Sequence, residues 1–101
     1  MYGLKGASIW IDDIRPGPAD YRKCRTYAEA ITTIDYCSKC EGGIDLVCFD
    51  HDLGEEKSGY DVAKYIVENQ IPIGGYIVQS MNPVGRKNIC ELLDHYGYKQ
   101  K

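Results

Sequence analysis

The sequence predicts one α/β domain, residues 1–101, built on a parallel sheet of about four strands with helices on both faces, three layers in all. Three observations lead there. The segments ASIWI (7–11), IDLVCF (44–49) and YIVQS (76–80) are short, apolar and rich in β-branched residues, as buried strands are. Stretches of helical period lie between and after them, and strands alternating with helices imply a parallel sheet. The 101 residues hold no internal repeat and no linker rich enough to divide the chain, a length that suits a single core.

Taken in order, ASIWI stops at Asp12-Asp13. RPGPAD (15–20) follows, and its two prolines and glycine make it a loop. YRKCR (21–25) reads as a short edge strand, its charges suiting a sheet rim. Its direction stays open, because the preceding loop is long enough to cross back extended. Thr26 then caps a helix, with Glu29 completing a capping box. Ala28, Ile31 and Ile34 carry the helical period on to Cys40, and Gly42-Gly43 stops it. After IDLVCF, Ser58 caps a helix from Gly59 to Asn69 whose apolar face is Val62, Ala63, Tyr65 and Ile66. IPIGG turns into the last strand. Asn82 caps the final helix, 83–96, with Pro83 at its first position and Ile89, Leu92, Leu93 and Tyr96 facing inward. The tail YGYKQK reads as frayed.

Composition narrows the function classes. The net charge of −3 argues against a protein that grips duplex DNA non-specifically. No apolar run approaches the roughly 20 residues of a membrane span. The first ten residues lack the apolar segment of an export signal, so a cytoplasmic protein is expected. Five cysteines in such a chain read as reduced thiols. Cys37 and Cys40 form C-x-x-C, yet no second pair or histidine pair follows at zinc-finger spacing.

The acids are informative. Ligands of open parallel sheets bind beyond the carboxyl ends of the strands, where this chain puts Asp12 and Asp13, then Asp50, His51 and Asp52, then Ser80 and Asn82. Neighbouring strands lie about 4.8 Å apart, so Asp13 and Asp50 reach one cation if the first and central strands are adjacent. Hard oxygen ligands suit Mg2+ or Mn2+. The amino end of the helix at Asn82 attracts anions at the same edge. Arg15 and Arg86 flank it as phosphate clamps, although Arg15 pairs equally well with Asp12 or Asp13. His51 reads either as a proton carrier or as a turn residue bonded to a neighbour, and Glu55, Glu56 and Lys57 as a solvated loop.

Asp12-Asp13, Asp50 and Ser80 resemble the phosphoacceptor pocket of response-regulator receiver domains. The resemblance makes Asp12 and Asp13 the metal-binding pair, Asp50 the phosphorylated position and Ser80 the hydroxyl that senses the phosphoryl group. The chain departs from the pattern in lacking the final strand with its lysine and the final helix, and in placing RPGPADY where the first helix stands. IWIDDIRPGP, RTYAEAI, DLVCFDHDLGEEKSGYDVAKYI and SMNPVGRKNI are similar to a receiver-derived group, the cyclic-phosphate-processing receiver domain, which implies a truncated, flavodoxin-like architecture. It also implies action on a cyclic-phosphate nucleotide or nucleic-acid end. Gln79 stands where many members carry His.

On this reading Asp12, Asp13 and Asp50 hold Mg2+ or Mn2+, and His51 or Asp52 moves a proton. Ser80, Asn82, Arg15 and Arg86 bind phosphoryl oxygens, with Asp50, His51 and Asp52 the catalytic set. Two alternatives stand beside it: a non-catalytic module that binds the cyclic phosphate, and an atypical receiver phosphorylated on Asp50.

Overall fold

Alternating side chains of the strands build the core. The structure, a computed structural model, describes residues 6–101. Its elements are β1 (Ala7–Ile11), β2 (Arg22–Cys24), α1 (Tyr27–Lys39), β3 (Ile44–Phe49), α2 (Gly59–Glu68), β4 (Tyr76–Val78) and α3 (Pro83–His95). The four strands form one sheet in the order β2-β1-β3-β4, every pair parallel. The open question of the 21–25 segment is thereby answered: its central residues run parallel to β1. The register aligns Cys24, Ile11, Phe49 and Val78 as one row across the sheet, and Ile9, Val47 and Tyr76 as the next. All seven are buried, and each large side chain so covered stabilises the fold by about 1.5–3 kcal/mol.

The parallel α/β architecture of a truncated receiver is what the sequence implied, but the placement of helices on both faces is not. All three lie on one face, α1 against α2 and α2 against α3, sharing one apolar cluster with the inward strand residues. The cause is topological. The crossovers β2-α1-β3 and β3-α2-β4 advance in the same direction across the sheet, and crossovers of one hand then fall on one side. On the other face Ser8, Trp10, Leu46 and Ile77 are only half-buried. The loop between β1 and β2 folds back over that face. Trp10 donates its indole N–H to the Arg15 carbonyl at 3.1 Å and meets Tyr21 edge-on. Gly17, at φ +71°, lets the loop press on the indole: a Cβ there would lie 2.7 Å from the ring.

The helix signals hold with local shifts. Thr26 Oγ1 accepts the Glu29 N–H at 3.1 Å, but Glu29 reaches back to Arg25 N–H, at 2.7 Å, rather than to the cap. Ala28 is exposed and Ala30 takes the buried position of α1 with Ile34 and Cys37. Asp61 accepts the Ser58 N–H at 2.8 Å and its hydroxyl at 3.2 Å, starting α2. Val62, Ala63 and Ile66 are buried, while half-buried Tyr65 bonds Asp35 of α1 at 2.6 Å. Asn82 caps α3 through the Gly85 N–H at 3.0 Å. Ile89 and Leu93 are buried and Leu92 half-buried, whereas Tyr96 falls past the helix end and is 58% exposed, against the inward place expected of it.

One further expectation is overturned. The tail is tied down: Tyr98 donates its hydroxyl to the Ile71 carbonyl at 2.8 Å. Tyr76 N–H then bonds the Lys99 carbonyl and Lys101 N–H the Tyr76 carbonyl, so Gln100 pairs parallel to β4. Glu55, Glu56 and Lys57 lie in an exposed loop as expected, and the Glu55 carboxylate also accepts the Tyr27 N–H at 2.7 Å, capping α1 from the β3–α2 loop. The five cysteines are free. No helix among the described residues is long and apolar enough to cross a membrane. The expectation of no export signal falls partly on residues 1–5, outside the described residues.

Candidate metal and phosphate site

Backbone hydrogen bonds carry the ladder past the strand ends and fix the acids there. Asp50 N–H bonds the Ile11 carbonyl at 2.9 Å, so the first residue after β3 stands beside the first after β1. Asp12 is buried, and its Oδ1 accepts the N–H groups of Ile14 and Arg15, each at 2.9 Å. This is an Asx turn, and it swings the chain off the strand. Asp13 follows, and Gly54, at φ +67°, comes so close that a Cβ there would stand 2.7 Å from Asp13 Oδ2.

Asp12, Asp13 and Asp50 each offer an oxygen within 4.8 Å of the other two; among the described residues no other His, Cys, Asp or Glu group of three does so. C-x-x-C therefore builds no such cluster. Asp13 Oδ1 is buried with no hydrogen-bond partner. An unpaired buried carboxylate oxygen is costly, and a divalent cation would satisfy it. The donor set, all hard oxygens, fits Mg2+ or Mn2+. Burial, and then the Asp12 charge, pushes the Asp50 carboxyl above the usual carboxylate range, opposed by Ser80, the Asp52 backbone and Arg15. Crowded acids of this kind gain most from a cation.

The flanking groups sort into two sets. A depression of about 440 Å3 is lined by the three acids together with Arg15, Asp52 and Met81. Arg15 spans it: Nη1 donates to the Gln79 carbonyl at 2.7 Å and Nε lies 3.9 Å from Asp12 Oδ2. Of the two acids left open as partners for Arg15, Asp12 is the one it approaches. Gln79 reaches the same Asp12 oxygen through its amide nitrogen, at 3.5 Å. Asp52 is exposed, and its hydrogen bond from His51 holds it below the ordinary carboxylate range.

His51 does not line this depression. Its ring packs on the first turn of α3, where a Cβ on Gly85 would lie 2.3 Å from it, and its Nδ1 sits 2.9 Å from Asp52 Oδ1. Ser80 is buried and accepts the Asn82 N–H at 3.0 Å, and Asn82 Nδ2 lies 3.5 Å from Asp52 Oδ1. Arg86 is turned to a neighbouring cavity that shares Ser80's end of the strand. Another cavity, about 530 Å3, lies at the opposite end of the sheet, between Arg22, Cys40, Asp45 and their neighbours. Among the described residues, no three potential ligands converge in it.

Residues 7–95 match the family described as the cyclic-phosphate processing receiver domain. The chain belongs to that family. No curated protein and no solved structure matches it. In this cyclic-phosphate processing receiver domain, sequence reasoning missed Gly54, Gly85 and Met81 as parts of the site. Gly54 and Met81 sit inside quoted motif strings, but their places depend on contacts between segments distant in sequence. Gly85 in a helical stretch reads only as a weak helix former.

Proposed function

We propose that this domain is a metal-dependent phosphodiesterase that opens the cyclic phosphate of a nucleotide or nucleic-acid end. The observation that carries the reading is the buried, partnerless Asp13 Oδ1 within the triad of carboxylates. Asp12, Asp13 and Asp50 hold Mg2+ or Mn2+, which supplies Lewis-acid activation of the phosphoryl group. Asp12 is kept in place by the Ile14 and Arg15 N–H groups on one oxygen and by Gln79 and Arg15 near the other. Arg15 and the amino end of α3, with Ser80 and Asn82, neutralise and orient the phosphate oxygens, since phosphoryl chemistry rests on positioning and charge.

His51 acts as a positioning residue. Its bond to Asp52 Oδ1 leaves Oδ2 of that ionised carboxylate to accept the proton of an attacking water. Water adds to phosphorus as its proton passes to Asp52, one of the two ring P–O bonds breaks, and the departing ribose oxygen takes up the proton that Asp52 then releases, leaving a phosphomonoester. A second reading, binding without chemistry, is favoured by Gln79, whose amide moves no proton at the position facing Asp12.

The test is hydrolysis of 2′,3′-cyclic nucleotides, a cyclic phosphate of ADP-ribose and an RNA ending in a cyclic phosphate, with Mn2+, Mg2+ or chelator. Turnover that needs metal and disappears in Asp50→Ala is expected. Stoichiometric ligand recovered unchanged would move the assignment to the binding module, and wild-type turnover in Asp50→Ala would remove the mechanism.

A further inference from the structure

Arg86 is the observation the acidic site leaves over. It lines a cavity of about 510 Å3 between the end of β4, α3 and the tail, walled by Ser80, Met81, Lys87 and Gln100 among others. That volume is within the range of ligand sites, roughly 300–1,000 Å3. The lining contains two cations and no acid. Lys87 is shared with Glu91 along the helix, at 3.9 Å. Arg86 makes no ion pair and no side-chain hydrogen bond among the described residues. Met81, 84% exposed, lines both this cavity and the acidic depression, so the two adjoin across one side chain. Ser80, buried just past the end of β4, lines the cavity as well.

We infer that the cavity at Arg86 binds a second phosphate of the substrate, so that the substrate is a nucleotide or strand end carrying a phosphate beyond the cyclic one. The inference rests on the proposed acidic site, which takes the reacting phosphate. A free guanidinium is suited to the second, because it offers planar, paired donors to phosphate oxygens. The acidic depression, with three carboxylates, repels any anion that its cation does not bind. A further phosphate is therefore directed out of it, and across Met81 lies the adjoining cavity with its two cations.

The experiment is calorimetric binding in Mg2+ to the Asp52→Asn protein, whose missing proton acceptor leaves the probes intact, of three probes: adenosine 2′,3′-cyclic phosphate, the same nucleotide bearing a 5′-phosphate, and the dinucleotide ApA ending in a 2′,3′-cyclic phosphate. A second phosphate should tighten binding by about 10-fold or more, as a charge-assisted hydrogen bond does. Arg86→Gln should erase that gain without changing the affinity of the plain cyclic nucleotide, and Arg86→Lys should restore part of it. A gain with the 5′-phosphate assigns a mononucleotide, and one confined to the dinucleotide assigns a nucleic-acid end. Equal affinity for all three probes, no binding of any, or equal weakening of all three by Arg86→Gln would overturn the inference. Mg2+ titrated alone separates the two readings, for its failure to bind would remove the acidic site itself.

Discussion

At the scale of single residues, three carboxylates held together without an obligatory partner impose a cost that sets how the protein responds to pH and metal. Asp50 has a raised carboxyl pKa, owing first to burial and then to Asp12. A carboxyl raised in the folded state weakens the fold once it ionises, so stability falls as pH rises from the unfolded value, about 3.9, through the folded one. Asp50→Asn should therefore melt several degrees higher than the parent in chelator at neutral pH. The gain is about 1 kcal/mol, the size of one close like-charge contact in a water-exposed setting. The same variant should lose most of the stabilisation that Mg2+ gives the parent. Equal melting temperatures for the two proteins in chelator would show that the acids do not repel. The acids themselves were legible because charge at the end of an apolar run is conspicuous. Gly85 was not, since its reason for being glycine is the ring of His51, which is distant in sequence.

Elements were readable to the extent that their signals are local. Caps are the best example: Thr26 and Asn82 each accept the N–H three residues on, and Ser58 is held by the Asp61 carboxylate three residues on. Replacing Asp61 by Ala should cost about 1 kcal/mol, because the Ser58 N–H then loses its acceptor at the start of α2. The Ser58 backbone N–H is the leading cause holding the Asp61 carboxyl below its ordinary range. Its contribution is present above the unfolded value of about 3.9 and lost as pH falls through the depressed folded value. Asp61→Asn should flatten that acid limb of a denaturation curve, and an unchanged limb would place the proton uptake elsewhere. Less local features escaped: Glu55 caps α1 from another loop, and Tyr96 lies one residue beyond the last helical position, where the period no longer orients it.

For the whole molecule, parallel strands and central β3 follow from alternating segment types, but the one-sided layering does not. LVCF (46–49) is apolar throughout and reads as covered on both faces. The signal lay in β1, where Ser8 and Trp10 alternate with Ile9 and Ile11, as in a strand with one fully buried face. The tail was misread because a pairing of one residue with β4 has no period to detect. Its effect reaches beyond the chain itself. The rim of β4 is a row of backbone donors and acceptors that invites a strand of any other molecule, and the tail occupies it with lysines at 99 and 101 on either side of the contact. Charged rims discourage such pairing. A chain cut after Tyr98 should bind metal as before yet self-associate as its concentration rises, visible as earlier elution in size-exclusion chromatography. A truncated chain that stayed monomeric would mean that the rim is guarded by something else. The last few residues thus act less as a support for the fold than as a guard on its solubility.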